Sequence, residues 1–182
     1  TSHLNRNIGV IPPQQIADLA LQPGGNAALT KAVLGNTTES VLAAGLQAGD
    51  TLRYPRFGRY SAVVNELGSS NNSNELVQSM VTSASDVDPD DGNIHVRFVL
   101  APVLENPNHA ANQQPYFYLE LRNITKNSLL FSSFNYSNQP GIPYKSSGGG
   151  TVQYTDWQLF DIAPGPAGLG VGDTVVLDIV AS

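Results

Sequence analysis

Four aspartates crowd one short turn. Asp86, Asp88, Asp90 and Asp91 stand in the stretch DVDPDDGN, with Gly92 and Asn93 closing it. Carboxylate and amide oxygens are hard ligands, and a tight loop that gathers them suits Ca²⁺, which takes about six to eight oxygens. The spacing opens like the D-x-D-x-D of an EF-hand. Asp91, however, stands where that loop needs glycine, Pro89 stiffens it, and no Glu follows at the twelfth position. The expectation is a calcium site at the edge of a β-structure, made from Asp86, Asp88, Asp90, Asp91 and Asn93 and completed by residues from elsewhere. The competing reading is a solvated turn held by Asx caps.

A second candidate is the amide-rich loop 105–116, ENPNHAANQQPY. Amides donate and accept hydrogen bonds. Asn112, Gln113 and Tyr116 could therefore hold a sugar, with Tyr118 and Trp157 nearby. The alternative is a loop whose amides serve its own backbone. His3, His95 and His109 have no metal-ligand spacing among themselves, and His95, at the start of a strand, reads as structural. No G-x-S-x-G elbow, P-loop or H-E-x-x-H is present, and no carboxylate is marked out as an acid or base. No catalytic residue is assigned, and an enzyme is not expected.

The elements that must position these residues are strands. From His95 onward the sequence runs HVRFVLAPV, YFYLELRNI, SLLFSSFNY, VQYTDWQLFDI and DTVVLDIVAS, separated by loops rich in Pro, Asn and Gly. Apolar residues alternate: Val96, Phe98 and Leu100 share one face, as do Phe117, Leu119 and Leu121, with Tyr118, Glu120 and Arg122 expected outward. ELVQSMVTSA alternates in the same way, and TLRYPRFGRYSAVVNEL reads as a strand pair broken at Pro55 and Gly58. Strands at this spacing, with Pro/Gly turns, predict an all-β, antiparallel β-sandwich of jelly-roll type over 50–182. Residues 1–49 form a separate N-terminal segment, partly helical or extended. IADLAL and AALTKAVL favour short helices, or strands if they pack as edges.

Composition narrows the function. The chain has 182 residues, a net charge of −6 and no cysteine. Disulfides and thiolate metal sites are excluded. An acidic chain without a basic face is a poor partner for nucleic acid or an anionic membrane. No apolar run approaches the roughly 18 residues of a spanning helix. A cysteine-free, lysine-poor chain rich in Asn, Ser, Thr and Gly fits a secreted or cell-surface protein. A first residue of Thr1 rather than Met fits removal of an export signal.

The segments GRYSAVVNE, DVDPDDGNIHVRFVLAPVLENPNHAANQQPYFYLELRNIT, NQPGIPYK, VQYTDWQLFDIAPG and VGDTVVLDIVAS, in that order, resemble a domain of large secreted or surface-anchored bacterial proteins that carry adhesin-like repeats. The resemblance spans about residues 59–181 and leaves the first 50 outside. It implies a galactose-binding-like jelly roll with a structural or adhesive role. In that family the final strand is followed by a Gly-Cys turn, a short His- and Gly-rich segment and one more strand. This sequence stops at Ser182, before them.

A sandwich short of its last strand leaves a groove of unpaired backbone groups, which a strand from another subunit can fill. The extended arm at residues 1–10, with Leu4, Ile8 and Val10 at mostly even spacing, is the expected donor. The leading expectation is therefore a secreted structural protein that assembles with copies of itself into a filament, tube or sheath by donor-strand exchange. The alternative is a carbohydrate-binding or adhesive module of a larger surface protein, with glycans as partners.

Overall fold

The computed structural model describes residues 30–34, 41–43, 45–54, 56, 60–64 and 73–182. The described chain is an all-β, antiparallel sandwich. Its main sheet has four strands in the order β5 (Asn74–Val81), β13 (Thr174–Ala181), β8 (Tyr116–Asn123) and β9 (Ser128–Tyr136). The second layer is made of β6 (Val96–Leu100) paired with β12 (Gln158–Ile162), and of β7 (Val103–Glu105) paired with β11 (Val152–Tyr154), which also pairs with β10 (Lys145–Ser147). Pro102 has no N–H to give a ladder and stands at the break between β6 and β7. The Thr155 N–H donates to the Pro102 carbonyl at 3.2 Å and bridges the break.

Alternation places the core. Phe117, Leu119 and Leu121 turn from β8 towards the second layer, and Leu119 and Leu121 are fully buried. Leu119 and Phe117 pack with Leu104, Phe98, Leu100 and Phe160, while Leu121 and Val175 pack with Ile94, Val96 and Leu169. Phe98 and Phe160 stack at 5.0 Å across the β6–β12 pair, and Phe131 of β9 meets Phe160 edge-on at 5.8 Å. These contacts join the two layers through aromatic rings, which carry the largest apolar surface per residue.

The last strand, β13, is central: it pairs with β5 on one side and β8 on the other, and Tyr116 and Ser182 exchange backbone hydrogen bonds of 2.9 and 3.0 Å. Tyr118 and Glu120 do not face solvent. Both are buried, on the face of the main sheet opposite the core. Near residue 30, where helix and edge strand were both open, the chain holds a strand, β1 (Thr30–Leu34), paired with β4 (Tyr60–Val64). Helix propensity is a weak prior, and partner strands overrode it here.

The boundary at residue 50 is also crossed. β2 (Val41–Leu42) pairs with β3 (Arg53–Tyr54), and Ala43 and Leu52 pack with Tyr154 and Trp157 of the second layer. The Trp157 indole N–H donates to the Arg53 carbonyl at 2.7 Å, which fixes Trp157 as a structural residue.

Candidate functional site

The acidic turn folds into a charge network rather than a bare ring of oxygens. Asp86 turns back to cap the short helical turn that it ends, accepting from the Ser83 N–H at 2.7 Å and the Ser83 hydroxyl at 2.8 Å. Asp88 accepts from the Asp90 N–H at 3.1 Å and from the Arg97 guanidinium at 3.1 Å. Asp91 accepts from the Asn93 N–H and side-chain amide, both at 2.9 Å. His95 stands between two carboxylates, with Nε2 3.0 Å from Asp91 and Nδ1 2.6 Å from Asp161 on β12. Arg97 closes the ring with a bond of 2.9 Å from Nε to Asp161. Alternation along β6 puts His95 and Arg97 on its solvent side, opposite Val96 and Phe98.

Hydrogen bonds from Asn93 and then His95 pull the Asp91 carboxyl down to about 2. The Asp90 N–H and Arg97 lower Asp88, and Arg97 and His95 lower Asp161. In return Asp161, and then Asp91, raise the His95 imidazole above its ordinary value. Ligand atoms of Asp88, Asp91 and His95 lie within 4.8 Å of one another. Of the five residues expected around calcium, the fold thus brings Asp88 and Asp91 together with His95. Asp86 points to Ser83, and Asn93 serves Asp91. Arg97 and His95 already engage these carboxylates, and one of those that bind them, Asp161, comes from a distant strand that no local spacing could reveal.

The amide-rich loop is split by burial. Asn112 and Gln113 are exposed on a short helical turn (Ala111–Gln113). Tyr116 is 1 % exposed and its ring packs 5.3 Å from that of Phe134, so it cannot stack on a sugar arriving from solvent. That part of the ligand-loop expectation is corrected, because β8 is buried on both faces. Leu4, Ile8 and Val10 of the expected donor arm lie outside the described residues.

The covered face of the main sheet carries a second acidic group that the sequence reading passed over. Asp178 of β13 lies directly opposite Glu120 of β8, and Glu75 of β5 lies one diagonal step from Asp178, because Glu75 pairs with Val180 and Asp178 with Val77. Glu120 is satisfied: the Tyr118 hydroxyl donates to it at 2.7 Å and the Arg122 guanidinium pairs with it. Asp178 Oδ1 is buried and finds no hydrogen-bond partner among the described residues. Burial and the Asp178 charge push Glu75 up to about 8, and burial pushes Asp178 up to about 6. A lone Asp inside VVLDIVA was the available signal, since carboxylates are costly in a covered strand.

The main sheet also has an open edge. Tyr116, Tyr118 and Glu120 aim their backbone groups at β13, so Tyr136, Phe134 and Ser132 opposite them aim theirs away from β8. Tyr136 is closed off, its N–H donating to Gln139 Oε1 at 3.0 Å and its carbonyl accepting from the Tyr144 hydroxyl at 3.1 Å. Ser132 and Phe134 have no backbone partner on that side among the described residues. The strand SLLFSSFNY has no charge, proline or glycine; among the described residues its edge is blunted only by a bulge opposite Leu121–Arg122 and by the closure at Tyr136. Compared with known proteins, no family model matches this chain, and neither does any curated protein or solved structure.

Proposed function

We propose that this is a secreted, non-enzymatic structural protein that assembles with copies of itself by strand addition. One observation carries the reading: β9 presents an uncharged, proline-free edge whose backbone groups at Ser132 and Phe134 have no partner among the described residues. Soluble proteins usually blunt such edges with lysine, proline or a strong twist, because an unpaired ladder recruits another strand. The acceptor edge is β9, not the last strand. The proposed donor is the arm at residues 1–13 of a second copy, with Leu4, Ile8 and Val10 at mostly even spacing, interrupted by Arg6. The jelly-roll assignment has support in the nested pairing, in which β5 lies beside the last strand and β6–β7 beside the penultimate pair β11–β12.

Proline at position 132 tests the edge. The Ser132 N–H points away from β8, so Ser132→Pro removes a group needed only by an incoming strand. Light scattering and electron microscopy should show polymers of the wild-type chain at high concentration, and monomers for S132P and for a chain lacking residues 1–13. A wild-type chain that stays monomeric with and without Ca²⁺, or an S132P protein that polymerises normally, would sink the proposal.

A further inference from the structure

We propose that Glu75 and Asp178 share one proton that latches strand β5 to β13, and that loss of this proton loosens β5 from the sheet. The pair spans the joint between the two strands, on the same face and one diagonal step apart. The face is covered at this end: Val180, which pairs with Glu75, is fully buried, and β4 approaches both β5 and β13. Two carboxylates at this separation on a half-buried surface cannot both ionise cheaply, because little water is left to screen them.

Among the described side chains that face the pair, none is a free cation. On β8 the facing groups are Tyr118, Glu120 and Arg122, and the Arg122 guanidinium is engaged by Glu120. On β9 the facing residue is the uncharged Ser132. The described residues Ser61–Val64 of β4 carry no charge, and Lys31 is the basic residue of β1, at the register position opposite Val63. The nearest acid, Glu120, adds a further negative charge beside Asp178. Among the described groups, a shared proton satisfies the pair, and it turns Asp–Glu repulsion into a hydrogen bond across the strand joint.

The direction of the pH dependence follows. With Glu75 held at about 8 in the closed sheet and free to fall to its ordinary value of 4.5 when β5 opens, the closed form binds a proton that the open form releases. Stability from the latch is full at pH below the ordinary carboxyl value. It declines as pH rises and is exhausted once pH passes the raised value in the closed sheet. For one proton released, the opening equilibrium rises at most about tenfold per pH unit across that window. β5 is an edge of the four-stranded sheet, so its opening leaves the pairing of β13 with β8 and of β8 with β9 in place.

Amide hydrogen exchange on the full chain tests the latch strand by strand. After correction for the intrinsic pH dependence of exchange, protection of residues 75–81 should fall by about tenfold or more between pH 5 and pH 8, while β8 keeps its protection. Glu75→Gln, which holds a hydrogen bond without an ionisable proton, should shrink that pH dependence to what Asp178 alone contributes. If E75Q fails to fold, a carbon-13 NMR titration of the wild-type carboxyl groups decides: one carboxyl of the pair should titrate well above the ordinary range. Equal pH dependence of β5 protection in wild type and E75Q, or carboxyl groups at positions 75 and 178 that both titrate in the ordinary range, would overturn the proposal.

Discussion

Two acidic groups of this protein sit under opposite electrostatic regimes. In the turn at 86–95, carboxylates are exposed or half-buried and each of the central ones meets a cation: Asp88 meets Arg97, Asp91 meets His95 and Asp161 meets both. Their carboxyls are driven down. On the covered face of the main sheet, Glu75 and Asp178 meet each other, and burial drives them up. The residue types are the same, so the lesson is about surroundings. Hydrogen bonds and cations favour the ionised form, while loss of water favours the protonated one. The turn can be read as a surface fastening between the start of β6 and β12. The covered pair is a built-in liability that a proton relieves.

The largest break in this comparison should come from Arg122, the one described cation in the covered row. Arg122→Ala leaves Glu120, whose side chain is only 9 % exposed, beside Asp178 without a counter-charge. Removing one partner of a fully buried ion pair costs about 3–5 kcal/mol. Because Arg122 is one-third exposed, about 2–3 kcal/mol is expected, measured as a loss of stability in urea unfolding. An unchanged midpoint would mean that solvent reaches this face.

A smaller effect should come from making the covered pair resemble the turn. Val77 stands opposite Asp178 and is 53 % exposed, so a lysine there can reach the carboxyl while its stem lies on the sheet. The wild-type Tm is expected to fall between pH 5 and pH 8, and V77K should lose roughly half of that slope or more, because a neighbouring cation restores the ionised form. Parallel slopes for the two proteins would show that the pair is already compensated.

The smallest effect is expected in the turn. His95 has a raised pKa, so its contribution is complete below the ordinary histidine value of 6.5 and is lost as pH climbs through the raised one. Asp91, at about 2, contributes above its ordinary value of 3.8, and that contribution disappears as pH falls towards 2. Acid should therefore loosen the turn while leaving the Glu75–Asp178 joint closed. Proton NMR should show His95 titrating above 6.5 in the wild type and lower in Asp161→Asn, with global stability nearly unmoved. A His95 that titrates identically in both would remove Asp161 from the network.

Much of the sandwich was readable from alternation. YFYLELRN, SLLFSSFNY and TVVLDIVA are strands where period-two patterning placed them. AALTKAVL left helix and edge strand both open, and at Thr30–Leu34 it is a strand, because pairing with Tyr60–Val64 supplies the backbone hydrogen bonds that a helix would have made internally. Of the candidate sites, the clustering of Asp88 and Asp91 was visible in their spacing. His95 sat four residues on from Asp91 but was read only as structural. Asp161, 66 residues further along, was not readable, nor was the alignment of Glu75, Asp178 and Glu120, which needs three strands distant in sequence to meet.

By itself, then, the sequence determined that this is a cysteine-free, acidic, all-β chain, because composition and alternation are local properties of consecutive residues. Tertiary structure decided which strands are neighbours and which faces are covered. It put the final strand β13 in the middle of the main sheet and, among the described residues, β9 at an edge, and it buried Tyr118 and Glu120 on the face that alternation had assigned to solvent. The physical reason is that a period of two tells one face of a strand from the other. What lies against each face, and which strand closes each edge, depends on contacts between residues far apart in the chain.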